Sequence, residues 1–135
     1  MPRRSRFFVD RGVGSRLIPE GLRAIGWEVV TMDERYGKQE SQSIPDTQWI
    51  RDASALGEVV ITKDRNVAKR PLEAQAIYVN ETRVLVVTSA HITAPESLER
   101  LLSNRGRIEK LVSQPGPFVL GVHADRLERI RLNYP

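Results

Sequence analysis

The stretch Val59-Val60-Ile61-Thr62-Lys63-Asp64 constrains this chain more than any other. An apolar run with no polar alternation reads as a strand buried on both faces, and such strands belong to parallel sheets covered by helices on either side. This run ends abruptly in a carboxylate. Phe7-Phe8-Val9 does the same near the N-terminus, running straight into Asp10. Two core strands that each deliver an Asp at the carboxyl end match how an open α/β sheet builds a site, because ligands sit in the crevice outside those ends.

The rest of the chain supplies the helices that such a sheet needs. Leu17, Ile18, Leu22 and Ile25 recur at helical spacing until Gly26 provides a stop. Trp27 to Thr31 alternates as a second strand and delivers Asp33 and Glu34 just past its end. From Glu34 to Pro45 the chain is polar and aperiodic, and it reads as a loop over a strand end, where function concentrates. Asp46 opens a helix with Trp49, Ile50, Ala53 and Leu56 on the inward side and Gly57 at its close. Capping alone would explain an acid there, yet Asp46, Ile50 and Ala53 fall at i, i+4 and i+7, which aims the carboxylate along the core-facing side. After the third strand, Lys69-Arg70-Pro71 is a basic turn and Leu72 to Tyr78 a short helix.

Arg83 to Thr88 repeats the buried pattern as a fourth strand. Thr93 and Glu96 have capping-box spacing before a helix that carries Leu98, Leu101, Leu102, Ile108, Leu111 and Val112, with Asn104-Arg105-Gly106 as a break point. Beyond Gln114-Pro115-Gly116-Pro117, residues 118–122 and 126–132 read as a terminal hairpin joined by His123-Ala124-Asp125. The expectation is one α/β domain over residues 1–135, with strands near 6–10, 27–31, 58–62 and 83–88, a mostly parallel central sheet and a C-terminal hairpin.

Composition narrows the chemistry. The chain has no cysteine, so disulfides, thiolate zinc and thiol catalysis are excluded, and two separate histidines argue against a His-based metal site. His91 and His123 read as loop residues with no catalytic part. Any metal must be held by oxygen. No apolar run is long enough to span a bilayer, and no signal-peptide core follows the basic N-terminus, so a cytoplasmic location is the default. Twenty-one basic residues against seventeen acids leave +4 at pH 7, compatible with phosphate recognition as well as with an ordinary solvated surface.

The chemistry therefore rests on Asp10, Asp46 and Asp64, with Asp33 and Glu34 as further candidates. Ionised acids gathered in a low-dielectric cleft repel one another, and a divalent cation relieves that repulsion. Hard oxygen ligands favour Mg2+ or Mn2+, and such a site can activate water for attack on a phosphodiester. Each acid alone also has a plain structural explanation: Asp10 and Asp64 as turn residues, Asp46 as a cap, Asp33 and Glu34 as solvated loop acids. Convergence at one sheet edge joins them. Arg11, Lys63, Arg65, Lys69 and Arg70 around the mouth are placed to hold a phosphate backbone.

Asp10-Arg11-Gly12, Pro45-Asp46 with Trp49, and Thr62-Lys63-Asp64-Arg65, together with Gly26-Trp27, Asp33-Glu34, Arg70-Pro71 and Pro117-Phe118, resemble the PIN-like ribonuclease domains of VapC-type toxins. The resemblance is to a compact PIN-like subgroup and covers nearly the whole chain. It implies a three-layer α/β/α domain and a Mg2+- or Mn2+-dependent endoribonuclease. It further implies catalytic and metal-binding roles for Asp10, Asp46 and Asp64, and a cognate antitoxin protein as partner, with homodimer formation left open. Two departures accompany it: Thr88-Ser89 stands at the strand-four exit where better-known PIN domains place an acid, and Asn66 stands where related proteins carry a second acid. A PIN-like module that has lost catalysis and binds RNA or protein is the alternative. A phosphoacceptor receiver domain is disfavoured, since it needs an acid pair after strand one and Arg11 follows Asp10.

Overall fold

The computed structural model describes residues 5–87 and 91–135. Six strands form one sheet: β1 (Arg6–Val9), β2 (Glu28–Thr31), β3 (Val59–Thr62), β4 (Arg83–Val87), β5 (Phe118–Val122) and β6 (Leu127–Arg129). Their spatial order is β2-β1-β3-β4-β5-β6, parallel throughout except for the antiparallel β5–β6 pair. The helices are α1 (Leu17–Ala24), α2 (Met32–Tyr36), α3 (Asp46–Ala55), α4 (Pro71–Val79), α5 (Ala94–Ser103) and α6 (Arg105–Leu111). Among the described residues no helix is long and apolar enough to cross a membrane.

The apolar runs of the sequence are explained by two cores, one on each face of the sheet. Phe7, Val9, Val59, Ile61, Leu85 and Val87 point to the face covered by α1, α5 and α6, where Ile18, Leu22, Leu101 and Ile108 meet them. Phe8, Val60, Val84 and Val86 point the other way, onto Met32 of α2, Trp49, Ile50 and Ala53 of α3, and Ile77 of α4. Along β3, and past the first residue of β1 and β4, each residue is thus buried whichever way it points, and alternation would gain nothing. The result is three layers, α/β/α. Gly21 lets α1 and α5 approach closely, because a Cβ there would stand 2.5 Å from the Leu98 side chain.

Two local expectations change. The segment from Glu34 to Pro45 is not a plain loop: α2 begins at its edge, and Glu40–Ser43 forms a 3-10 turn. A capping box starts α2, with the Thr31 hydroxyl accepting from the Glu34 backbone N–H at 3.1 Å and the Glu34 carboxylate accepting from the Thr31 N–H at 2.9 Å. Gly37 ends it at φ 88°. The helix after Thr93 divides into α5 and α6 at the expected break, Asn104, whose buried side chain donates to the carbonyls of Arg100 and His123. The last strand is shorter than 126–132, because the chain leaves β5 after Ile130 and Asn133 donates to the Ala68 and Lys69 carbonyls instead.

Candidate active site

Parallel pairing of β1 with β3 places their carboxyl ends side by side, and the Asp10 N–H donates to the Ile61 carbonyl at 3.2 Å. Asp10 is 9% exposed. One carboxylate oxygen accepts from the Gly12 N–H at 3.0 Å and the other from the Thr62 hydroxyl at 2.5 Å. Thr62 Oγ1 also accepts from the Asp64 N–H at 3.0 Å, so a single hydroxyl ties the two strand ends together. Burial pushes the Asp10 carboxyl up to about 6; the Thr62 and Gly12 hydrogen bonds oppose this, and the charges of Asp46 and Asp64 add to it. The three acids are therefore within electrostatic reach of one another.

Asp46 is the first residue of α3, but its side chain makes no capping bond, and Pro45 is the cap residue. Its Oδ1 accepts from the indole N–H of Trp49 at 2.9 Å, and its Oδ2 lies 3.3 Å from Arg70 Nη2. Trp49 is itself buried against Phe8, so the core fixes where this carboxylate points. Asp64 accepts from the Asn66 N–H at 2.9 Å and is paired with Arg70 through both Nη atoms. Burial raises the Asp64 carboxyl, but the Arg70 hydrogen bond, the Asn66 N–H and the Arg70 charge outweigh it and hold the carboxyl below its ordinary value. Arg70 thus bridges two of the three acids. Asp10 is left without an ion pair among the described residues.

The remaining candidates separate. Asp33 accepts from the Ser41 hydroxyl at 2.6 Å and shares with Asp10 a cavity of about 140 Å³, lined also by Arg11, Thr31 and Gln42. Glu34 is committed elsewhere, to the α2 capping box and to an ion pair with Arg23 at 2.7 Å. Arg11 donates to the carbonyls of Ser41 and Ile44 at 2.9 and 2.6 Å, clamping the turn that walls the cavity. Lys63 is half-buried. Arg65 and Lys69 line a cleft of about 420 Å³ whose walls include Arg100 and His123. His123 there pairs with Glu128 at 2.7 Å. Sequence reasoning overlooked the roles of Thr62, Ser41 and Arg100. Thr62 alone had a visible signal, a hydroxyl two residues before a strand-end Asp.

A family model described as "PIN like domain" matches residues 5–89, from β1 through the end of β4. The chain belongs to the PIN-like domain family. The matched span includes Asp10, Asp46, Asp64 and Arg70. The chain is also similar to the protein named "Putative ribonuclease VapC45" of Mycobacterium tuberculosis (strain ATCC 25618 / H37Rv), at 31% identity over 123 residues, 91% of this chain and 89% of that protein. No solved structure gives a significant match. Of the two departures from the wider PIN-like pattern, Asn66 serves Asp64 through its backbone, and Thr88-Ser89 lies outside the described residues. As the side chains stand, no three acids or histidines among the described residues are grouped to enclose a metal ion, and Arg70 lies between two of the carboxylates.

Proposed function

We propose that this PIN-like protein is a Mg2+- or Mn2+-dependent endoribonuclease that hydrolyses RNA phosphodiester bonds, and that it is the toxin of a toxin–antitoxin pair acting in the cytoplasm. The convergence of Asp10, Asp46 and Asp64 on one sheet edge carries the reading, and the ribonuclease and VapC words in the mycobacterial relative's name support the substrate and the antitoxin partner.

The donor set fits a hard divalent cation in kind, being made of carboxylates alone, and two of the three already converge on one cationic group, Arg70. Asp10, Asp46 and Asp64 would hold the ion, with Asp33 close enough to Asp10 to take part in the same cavity. When bound, it supplies neutralising charge and lowers the pKa of a water. The chain's own contribution is orientation. Thr62 and the Gly12 N–H fix Asp10, Trp49 fixes Asp46, and the Asn66 N–H fixes Asp64. Lys63, Arg65, Lys69 and Arg70 are the cations for the RNA backbone, while Arg11 clamps the turn and lies 3.7 Å from Asp46 Oδ1.

The test is cleavage of a panel of RNAs with Mg2+, with Mn2+ and with chelator. Cleavage that requires metal and disappears in Asp64→Asn is expected. RNA binding with no cleavage under any metal would favour the binding-module alternative instead.

A further inference from the structure

Arg70 reaches three carboxylates at once. Its Nη2 reaches Oδ2 of both Asp46, at 3.3 Å, and Asp64, and its Nη1 is 3.4 Å from Asp64 Oδ1. Its Nε is 3.5 Å from Glu73 on the first turn of α4. The backbone beneath it is anchored: the Arg70 N–H donates to the Asn66 carbonyl, and the Arg70 carbonyl accepts from Ala74 at 2.8 Å. The side chain is nonetheless 40% exposed, so it can swing while the main chain stays put.

We propose that Arg70 is a built-in counter-cation, occupying in the metal-free protein the point where two of the three carboxylates converge, and giving up that point to a divalent cation in order to grip the RNA phosphate. The inference rests on the metal-dependent reading above. A guanidinium and a divalent cation repel strongly at one point, so the two states exclude each other. Glu73 gives the displaced guanidinium a carboxylate outside the cluster, on the same side of α4.

Manganese alone is titrated into the full chain by calorimetry, using wild type, Arg70→Ala, Arg70→Gln and Lys69→Ala. Lys69 controls for the loss of one positive charge, since it faces the neighbouring cleft. If Arg70 occupies the site about nine-tenths of the time, both Arg70 variants should bind Mn2+ about tenfold more tightly. Lys69→Ala should stay within about twofold, its charge being screened by solvent. In saturating Mn2+ the KM for RNA should move the opposite way in the Arg70 variants, rising about tenfold with the loss of a charged phosphate contact. Tighter metal with looser RNA is the signature. Unchanged or weaker Mn2+ binding in both Arg70 variants, or a gain matched by Lys69→Ala, overturns the inference and leaves the nuclease reading standing. Absence of Mn2+ binding in all four proteins overturns the metal reading and this inference with it. Should Arg70→Ala fail to fold, Arg70→Gln, which keeps polar reach without charge, gives the same readout.

Discussion

Two arginines on the same side of the sheet meet carboxylates in opposite ways. Arg35 of α2 forms a closed one-to-one fork with Glu58, at 2.7 and 2.5 Å, and its guanidinium lies 4.9 Å over the Phe8 ring. The two side chains are 13% and 2% exposed. Arg70 is spread over Asp46, Asp64 and Glu73, and all four side chains keep partial contact with solvent. The first pair satisfies every charge it brings and joins α2 to the start of β3. The second leaves acids in excess of cations, with Asp10 buried close by and unpaired. Stoichiometry and exposure therefore distinguish an arginine that holds the fold from one positioned to exchange partners, although both read simply as Arg in the sequence.

The contrast breaks most visibly at the acids. Asp10→Asn, Asp46→Asn or Asp64→Asn should each lower RNA cleavage on the order of 10⁴-fold, and any two together should cost little more than one, as for groups that act as a unit. Single-turnover cleavage at saturating Mg2+ checks this. On the structural side, Glu58→Ala leaves Arg35 charged, largely shielded from solvent and without its partner, and should destabilise the fold by about 3 kcal/mol in denaturant unfolding. Replacing both partners, with Arg35→Met and Glu58→Leu, should cost far less. Arg70→Ala should change stability by no more than about 1 kcal/mol, because its ion pairs are partly solvated.

A separate effect is expected from pH. The Asp10 carboxyl titrates near 6 in the fold against 3.8 as a free side chain. As pH falls from about 6 towards 4 the native state takes up this proton before the unfolded state does, so Asp10 contributes rising stability in that window, about 3 kcal/mol at most. Asp64, with its pKa lowered, opposes this at the acid end, losing its contribution as pH falls through its folded value. Asp10→Asn should therefore stabilise the metal-free protein at pH 7 and flatten the rise between pH 6 and 4 in a melting series. Trp49→Phe removes the indole N–H from Asp46 while keeping an aromatic ring against Phe8. It should reduce metal-dependent cleavage about tenfold, the scale of an outer-shell hydrogen bond.

What the sequence made legible follows from how local each signal is. The strands β1 and β3 and their terminal acids were readable because burial on both faces leaves an unbroken apolar run. Asp46 was readable through its helical register with Ile50 and Ala53. Helix α2 escaped because five residues are too few for apolar periodicity, although the Thr31 and Glu34 spacing was present. Glu34 was accordingly placed among the metal candidates when its carboxylate closes a helix start and pairs with Arg23. Arg70 was recognisable as a basic turn residue, but its place between Asp46 and Asp64 depends on how residues 63–70 fold back over the edge. The Arg35–Glu58 fork joins residues 23 apart in the chain and has no local signature.

The most direct measurement is the melting temperature of the metal-free protein with and without Mn2+, for wild type and for each of Asp10→Asn, Asp46→Asn and Asp64→Asn. If the three carboxylates form one metal site, Mn2+ at a hundredfold excess over its Kd should stabilise wild type by about 2.7 kcal/mol, and each variant should lose most of that gain. A variant of any one of the three that keeps both the full Mn2+ shift and full cleavage would remove that residue from the site. An absent Mn2+ shift in wild type would contradict the metal site altogether.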